Sequence, residues 1–162
     1  MRRGRNLEQL IAQWPTTDPR AILWLRGPHW SYTDQLVHLA RGTGLLGRRI
    51  FFPDAVTEAE LVSAAAQADV GIIPYDHAMN GNKYACPNKL SQYMSGGLPI
   101  LTIELDFVAS LVRRQDLGAV FSFTGQPSLA KATSLFVEDR VKLGNCAHRA
   151  RETFALSLIG SS

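Results

Sequence analysis

A chain of 162 residues with 46% apolar and 19% charged residues is long enough for one domain with a real core, and its composition is that of an ordinary globular protein. Its formal charge is only +3, and the basic residues are scattered apart from Arg2, Arg3 and Arg5, so no aromatic-interleaved basic patch speaks for nucleic acid as a partner. No signal peptide and no apolar run near the ~18 residues of a membrane span is legible, which makes the cytoplasm the default location.

In chain order, Asn6 opens a helix in which Leu7, Leu10, Ile11 and Trp14 recur at i, i+3, i+4 and i+7, with Gln9 completing a capping-box pattern and Pro15 as the stop. Residues 21–25 read as a strand, with Arg26, Gly27 and Pro28 turning at its carboxyl end. Residues 31–41 read as a second helix, with Leu36, Val37, Leu39 and Ala40 inward and Gly42 at its end. A strand over 49–52 is stopped by Pro53. Thr57 to Glu60 is a capping box, and the helix it opens turns Leu61, Ala64, Ala65 and Ala68 to the sheet. After the central unit come a helix over 104–114 with Val108, Leu111 and Val112 buried, and a strand over 119–123. Helices over 127–137, built on Leu129, Ala132, Leu135 and Phe136, and over about 141–155 complete the chain.

The central unit spans 70–103. Two apolar runs, 70–75 and 98–103, flank a polar loop and a short helix opened by Pro87, so the strands are expected to be parallel. Leu90, Tyr93 and Met94 form the buried stripe of that helix, and Gly96 and Gly97 end it. Pro87 suits a first helical position, where an amide hydrogen has no partner. The amides of Asn88, Lys89 and Leu90 then point out of the helix start, toward any anion at the carboxyl edge of the sheet, where open α/β sheets bind ligands. Five strands alternating with helices predict a doubly wound parallel sheet.

The segment DVGIIPY, a loop rich in Asn, and PNKLSQYMSGGLPIL resemble the donor-domain signature of retaining GT-B glycosyltransferases of the large group 1 family, also called family four, which typically show P-N-K-L-x-E-Y-M-x-x-G-x-P here. The resemblance extends more weakly over nearly the whole chain. It implies a Rossmann-like, nucleotide-sugar-binding half of such an enzyme, spanning residues 1–162. It also implies that the first central strand and the N-terminal acceptor domain are missing, because the chain opens on a helix. On this resemblance Lys89 acts in catalysis by neutralising the leaving phosphate, and Pro87, Asn88 and Leu90 complete the phosphate site. Gly27 leaves room for the diphosphate, the Phe52 segment holds the base by backbone contacts, and Tyr75 lines the cleft. Gln92 stands where the family has a Glu that bonds the ribose hydroxyls, and Tyr84 stands where the family often has a further acid. A neutral amide accepts more weakly than a carboxylate.

The partners implied are a nucleotide-sugar donor and an acceptor domain, in cis or on a partner subunit. Any peripheral contact with the inner membrane face belongs to the missing half. No metal or other cofactor is expected, since the nucleotide-sugar is a co-substrate. Alternatives are a non-catalytic binding subunit of a split glycosyltransferase and an inactive homologue. Gly42 to Gly47 matches G-x-G-x-x-G, but it follows a helix and precedes a strand, the reverse of a dinucleotide fingerprint. Cys86 and Cys146 lack CxxC spacing and read as free thiols. His29, His38, His77 and His148 have no ligand spacing, and His77 reads as a surface histidine. Residues 80–83 read as a polar lid.

Overall fold

The computed structural model describes residues 6–27, 29, 31–74 and 87–160. The first helix, α1 (Leu7–Gln13), buries Leu7, Leu10 and Ile11 and runs into a 3-10 turn, Trp14–Thr16, that buries Trp14. The apolar period therefore acts as expected, but the start differs. Asn6 sits in the left-handed region at φ 56°, and its side chain makes no cap bond. A short polar residue tolerates that conformation and leaves the carbonyl to accept from Leu10 at 3.0 Å.

Strand β1 (Leu23–Trp24) leads to α2 (Ser31–Thr43) and then to β2 (Ile50–Phe51), which pairs with β1 in parallel. The inward stripe of α2, packed against α1, is Tyr32, Thr33, Leu36 and Ala40, while Leu39 stays 40% exposed, against the sequence expectation. The helix outlasts Gly42 and ends at Thr43, and Gly44 takes the positive φ of 76°. Thr43 supports that end: its hydroxyl donates to the Ala40 carbonyl and accepts from the Leu45 amide. The connection from α1 to β1 is held by Arg49. Its guanidinium donates to the Ala21 carbonyl (3.1 Å), the Thr17 hydroxyl (2.7 Å) and the Asp18 carbonyl (2.7 Å).

The Thr57 capping box forms as expected, with the Thr57 amide donating to Glu60 Oε2 at 3.1 Å. It opens a 3-10 turn, Glu58–Glu60, before the short α3 (Leu61–Ala65). Leu61, Ala64, Ala65 and Ala68 are its inner face, yet none is fully buried.

Then come β3 (Gly71–Ile73), α4 (Pro87–Ser95), β4 (Ile100–Thr102), α5 (Asp106–Gln115), β5 (Gly118–Val120), α6 (Leu129–Glu138) and α7 (Arg140–Gly160). β3, β4 and β5 are parallel and neighbours in that order, with Ile72 opposite Leu101 and Leu101 opposite Ala119. In α6 the inner face is Leu129, Ala132, Thr133 and Phe136, and Leu135 is 40% exposed. Thr133 can be buried because its hydroxyl returns to the carbonyls of its own helix, at 2.8 Å from Leu129.

The fold is thus α/β with parallel sheets covered by helices. Among the described residues the strands form two sheets, β1-β2 and β3-β4-β5, over one shared hydrophobic core. Gln13 of α1 ties the two parts by donating to the Phe123 carbonyl at 2.9 Å. No helix among the described residues is long and apolar enough to cross a membrane.

Candidate functional site

The site candidates fall at the carboxyl ends of parallel strands, in two groups. The first lies beyond β1 and β2. Gly27 follows β1 as a half-buried bend, and Phe52 follows β2, half-buried and packed on the core. Arg26 joins these two segments by donating to the Asp54 carbonyl at 2.7 Å. Its guanidinium is therefore engaged in holding the edge together.

The second group is the start of α4. Pro87 is its first residue, and amides at the start of a helix point out of its end. Lys89 is half-buried in this first turn, and Gln92 is half-buried three residues on, the spacing that puts two side chains on one helix face. Leu90 is 5% exposed and belongs to the core. Tyr75, with Asp76, His77, Asn80, Lys83 and Tyr84, lies outside the described residues.

Three contacts fix where α4 points. Leu90 and Met94 are buried in the core. Tyr93 lies over Gly71 of β3, and its hydroxyl donates to the Ile72 carbonyl at 3.3 Å. A Cβ at Gly71 would come within 2.3 Å of the Tyr93 ring, so this close approach of helix and strand requires glycine. The far end closes as a Schellman motif, with Gly97 at φ 72°, its amide on the Met94 carbonyl (3.0 Å) and the Leu98 amide on the Tyr93 carbonyl (2.9 Å). The Arg151 guanidinium of α7 packs against Gly97, a cation at a helix carboxyl end.

Sequence reasoning missed two of these features. Gly71 is visible in DVGIIPY, but only the ring above it explains its presence. Glu104 is a carboxylate just past β4, at the same edge as the end of β3. Arg113 grips it bidentately, at 2.6 and 2.7 Å, and this pairing raises the Arg113 pKa above its ordinary value. Elsewhere, burial pushes the Cys146 thiol up, with Asp116 adding to the shift. His29 and His148 pair with Asp34 and Glu152 on the surface. Among the described residues no three His, Cys, Asp or Glu side chains gather as a metal site would need.

No family model matches the sequence, and no curated protein matches it. Solved structures do. Sucrose-phosphate synthase from Thermosynechococcus elongatus is similar over 96% of this chain with a TM-score of 0.79 at 18% identity. WaaG, a glycosyltransferase involved in lipopolysaccharide biosynthesis, is similar over 94% with a TM-score of 0.70 at 16% identity. This chain spans 38% and 40% of the lengths of those two chains. At such identities the likeness is one of fold, and it embraces both sheets and the helices around them.

Proposed function

We propose that this chain is the donor-binding half of a retaining glycosyltransferase of the group 1 kind, moving a hexosyl group from a nucleotide-sugar to an acceptor in polysaccharide synthesis. One observation carries the reading. The Pro-Asn-Lys-Leu segment forms the first turn of α4, the helix that stands between the parallel strands β3 and β4 in the chain. Amide hydrogens pointing out of a helix start at such an edge suit an anion.

In this reading the diphosphate rests on the amides of Asn88, Lys89 and Leu90, and Gly27 leaves it room. Lys89 meets the charge that grows on the leaving phosphate, so no metal is required. Gln92 accepts from the ribose hydroxyls, the Phe52 backbone holds the base, and Tyr75 lines the cleft. The acceptor binds to another domain, in cis or on a partner subunit, and that part carries any contact with the membrane surface. Nucleic acid is not a partner, and the reaction takes place in the cytoplasm.

Calorimetry with UDP, GDP and ADP tests this. One of the three is expected to bind, and Lys89→Ala is expected to weaken that binding about tenfold, the loss of one charge-assisted contact. No heat with any of the three refutes the reading.

Gln92 favours a second reading, in which the chain is a nucleotide-sugar-binding subunit of a split enzyme, or an inactive homologue, because a neutral amide holds a ribose more weakly than a carboxylate. Gln92→Glu probes the ribose contact itself. Tighter nucleotide binding supports it, and unchanged affinity removes Gln92 from the site.

A further inference from the structure

Beyond β2 the chain runs without regular structure from Phe52 to Thr57. The cause lies in the ladder. Leu23 and Leu25 donate to the Arg49 and Phe51 carbonyls at 2.8 and 2.9 Å. The next bond of a parallel ladder would run from the amide of residue 53 to the Leu25 carbonyl. Residue 53 is a proline with no amide hydrogen to give, so the pairing stops there.

The segment past that stop is held unevenly. At one end Phe52 packs on the core, and at the other the capping box fixes Thr57. Asp54 and Ala55 between them are exposed. Among the described residues, the backbone from 52 to 56 has one hydrogen bond, the 2.7 Å bond that the Arg26 guanidinium donates to the Asp54 carbonyl. Arg26 directly follows Leu25, so its side chain ties the two strand ends together one step beyond the bond that Pro53 cannot make.

We propose that Arg26 is a positioning residue for base recognition: it fixes the 52–56 backbone against which the nucleotide base is read. The inference rests on the donor-site reading, in which that backbone holds the base. Main-chain groups cannot change rotamer to suit a ligand, so they must already stand where the right base needs them. A wrong base cannot make those bonds and is held through its phosphates and ribose. With its middle freed, the segment has to be ordered each time the right base binds, a cost that a wrong base does not meet. Arg26 thus acts on selectivity through the Asp54 carbonyl. A single bond to one carbonyl needs a donor of sufficient reach and no planar fork, so lysine can take over this role.

Calorimetry with UDP, GDP, ADP and inorganic pyrophosphate tests this on wild type, Arg26→Lys and a variant without the donor. That variant is Arg26→Met, which keeps the apolar stem, or Arg26→Ala, whichever keeps a cooperative thermal melt. Without the donor, the preferred nucleotide is expected to bind about tenfold more weakly, the cost of ordering roughly one more backbone residue. Its advantage over the other two nucleotides should fall by the same factor, while pyrophosphate binding stays within about twofold of wild type. Arg26→Lys should keep the advantage within about threefold of wild type. An unchanged advantage without the donor overturns the proposal. Pyrophosphate binding that falls in step with nucleotide binding overturns it too, and makes Arg26 a direct partner of the phosphates. So does an advantage as low in Arg26→Lys as without the donor, or a fold that survives neither Met nor Ala. A wild type that binds all three nucleotides alike has no base reading to position, which overturns the proposal and leaves the donor site standing. A wild type that binds none of them removes the donor-site reading as well.

Discussion

Gly71→Ala probes the contact that sets α4 on the sheet. The new Cβ would lie 2.3 Å from Tyr93 Cγ, and ordinary contact begins at 3.4 Å, so the ring must retreat by 1.1 Å. Cγ is the near end of that side chain, and swinging the far end of the ring cannot relieve the clash. The helix itself must shift, against the buried Leu90 and Met94. Forcing extra atoms into a packed contact costs about 1–3 kcal/mol. For a chain of this size each kcal/mol lowers Tm by about 2–4 °C, so a fall of about 2–12 °C is expected. Urea and thermal unfolding of Gly71→Ala, Tyr93→Ala and the double variant form the assay. In the double variant the clash is gone, so its loss of stability should be smaller than the sum of the singles by about 1 kcal/mol or more. Wild-type stability in Gly71→Ala, or strict additivity across the cycle, would refute the argument that this glycine exists to admit the ring.

Gly118→Ala should be worse. Its Cβ would meet the Ile100 carbonyl oxygen at 1.8 Å, and backbone inside a sheet cannot swing aside, so a loss of more than about 3 kcal/mol or no folded protein is expected by circular dichroism. Cys146 is fully buried with a raised pKa, so in a Cys86→Ser background the native protein should react with a thiol reagent far more slowly than glutathione does, and promptly once unfolded in urea; equal rates would count against it. Asp18 is held at about 2 by its side-chain hydrogen bond from Arg20 and by the Arg20 amide. A depressed carboxyl stabilises the fold above its unfolded pKa of about 3.9 and loses that contribution as pH falls toward 2. The stability gap between wild type and Asp18→Asn should therefore be constant above about pH 4 and close on approach to pH 2, and a gap that persists there argues against the pair.

The elements most legible in the sequence were those whose ends carry their own chemistry. Pro87, the stripe Leu90, Tyr93 and Met94, and the glycine pair define α4 before any tertiary contact is considered, and the structure places all of them as expected. Thr57 and Glu60 do the same for their turn. Where a helix offered more apolar residues than its inner face could hold, the choice fell to the neighbours: α2 turned Tyr32 and Thr33 inward and left Leu39 outside, and α6 took Thr133 in place of Leu135. Periodicity cannot foresee a threonine that satisfies its own hydroxyl. For the site, strand ends predicted where Gly27 and Phe52 sit, and the Pro87 start predicted the place of Lys89 in α4. The engagement of Arg26 and of Glu104 depends on residues 28 and 9 positions away, a pairing that no local pattern announces.

Arg49 leaves a mark on cooperativity. The stretch from Thr17 to Ala21 has no regular structure to hold it, and its carbonyls are gathered by a side chain that leads into β2. When β2 opens, this stretch loses its anchor at the same moment. The two segments should therefore behave as one unit of partial unfolding although about thirty positions separate them along the chain.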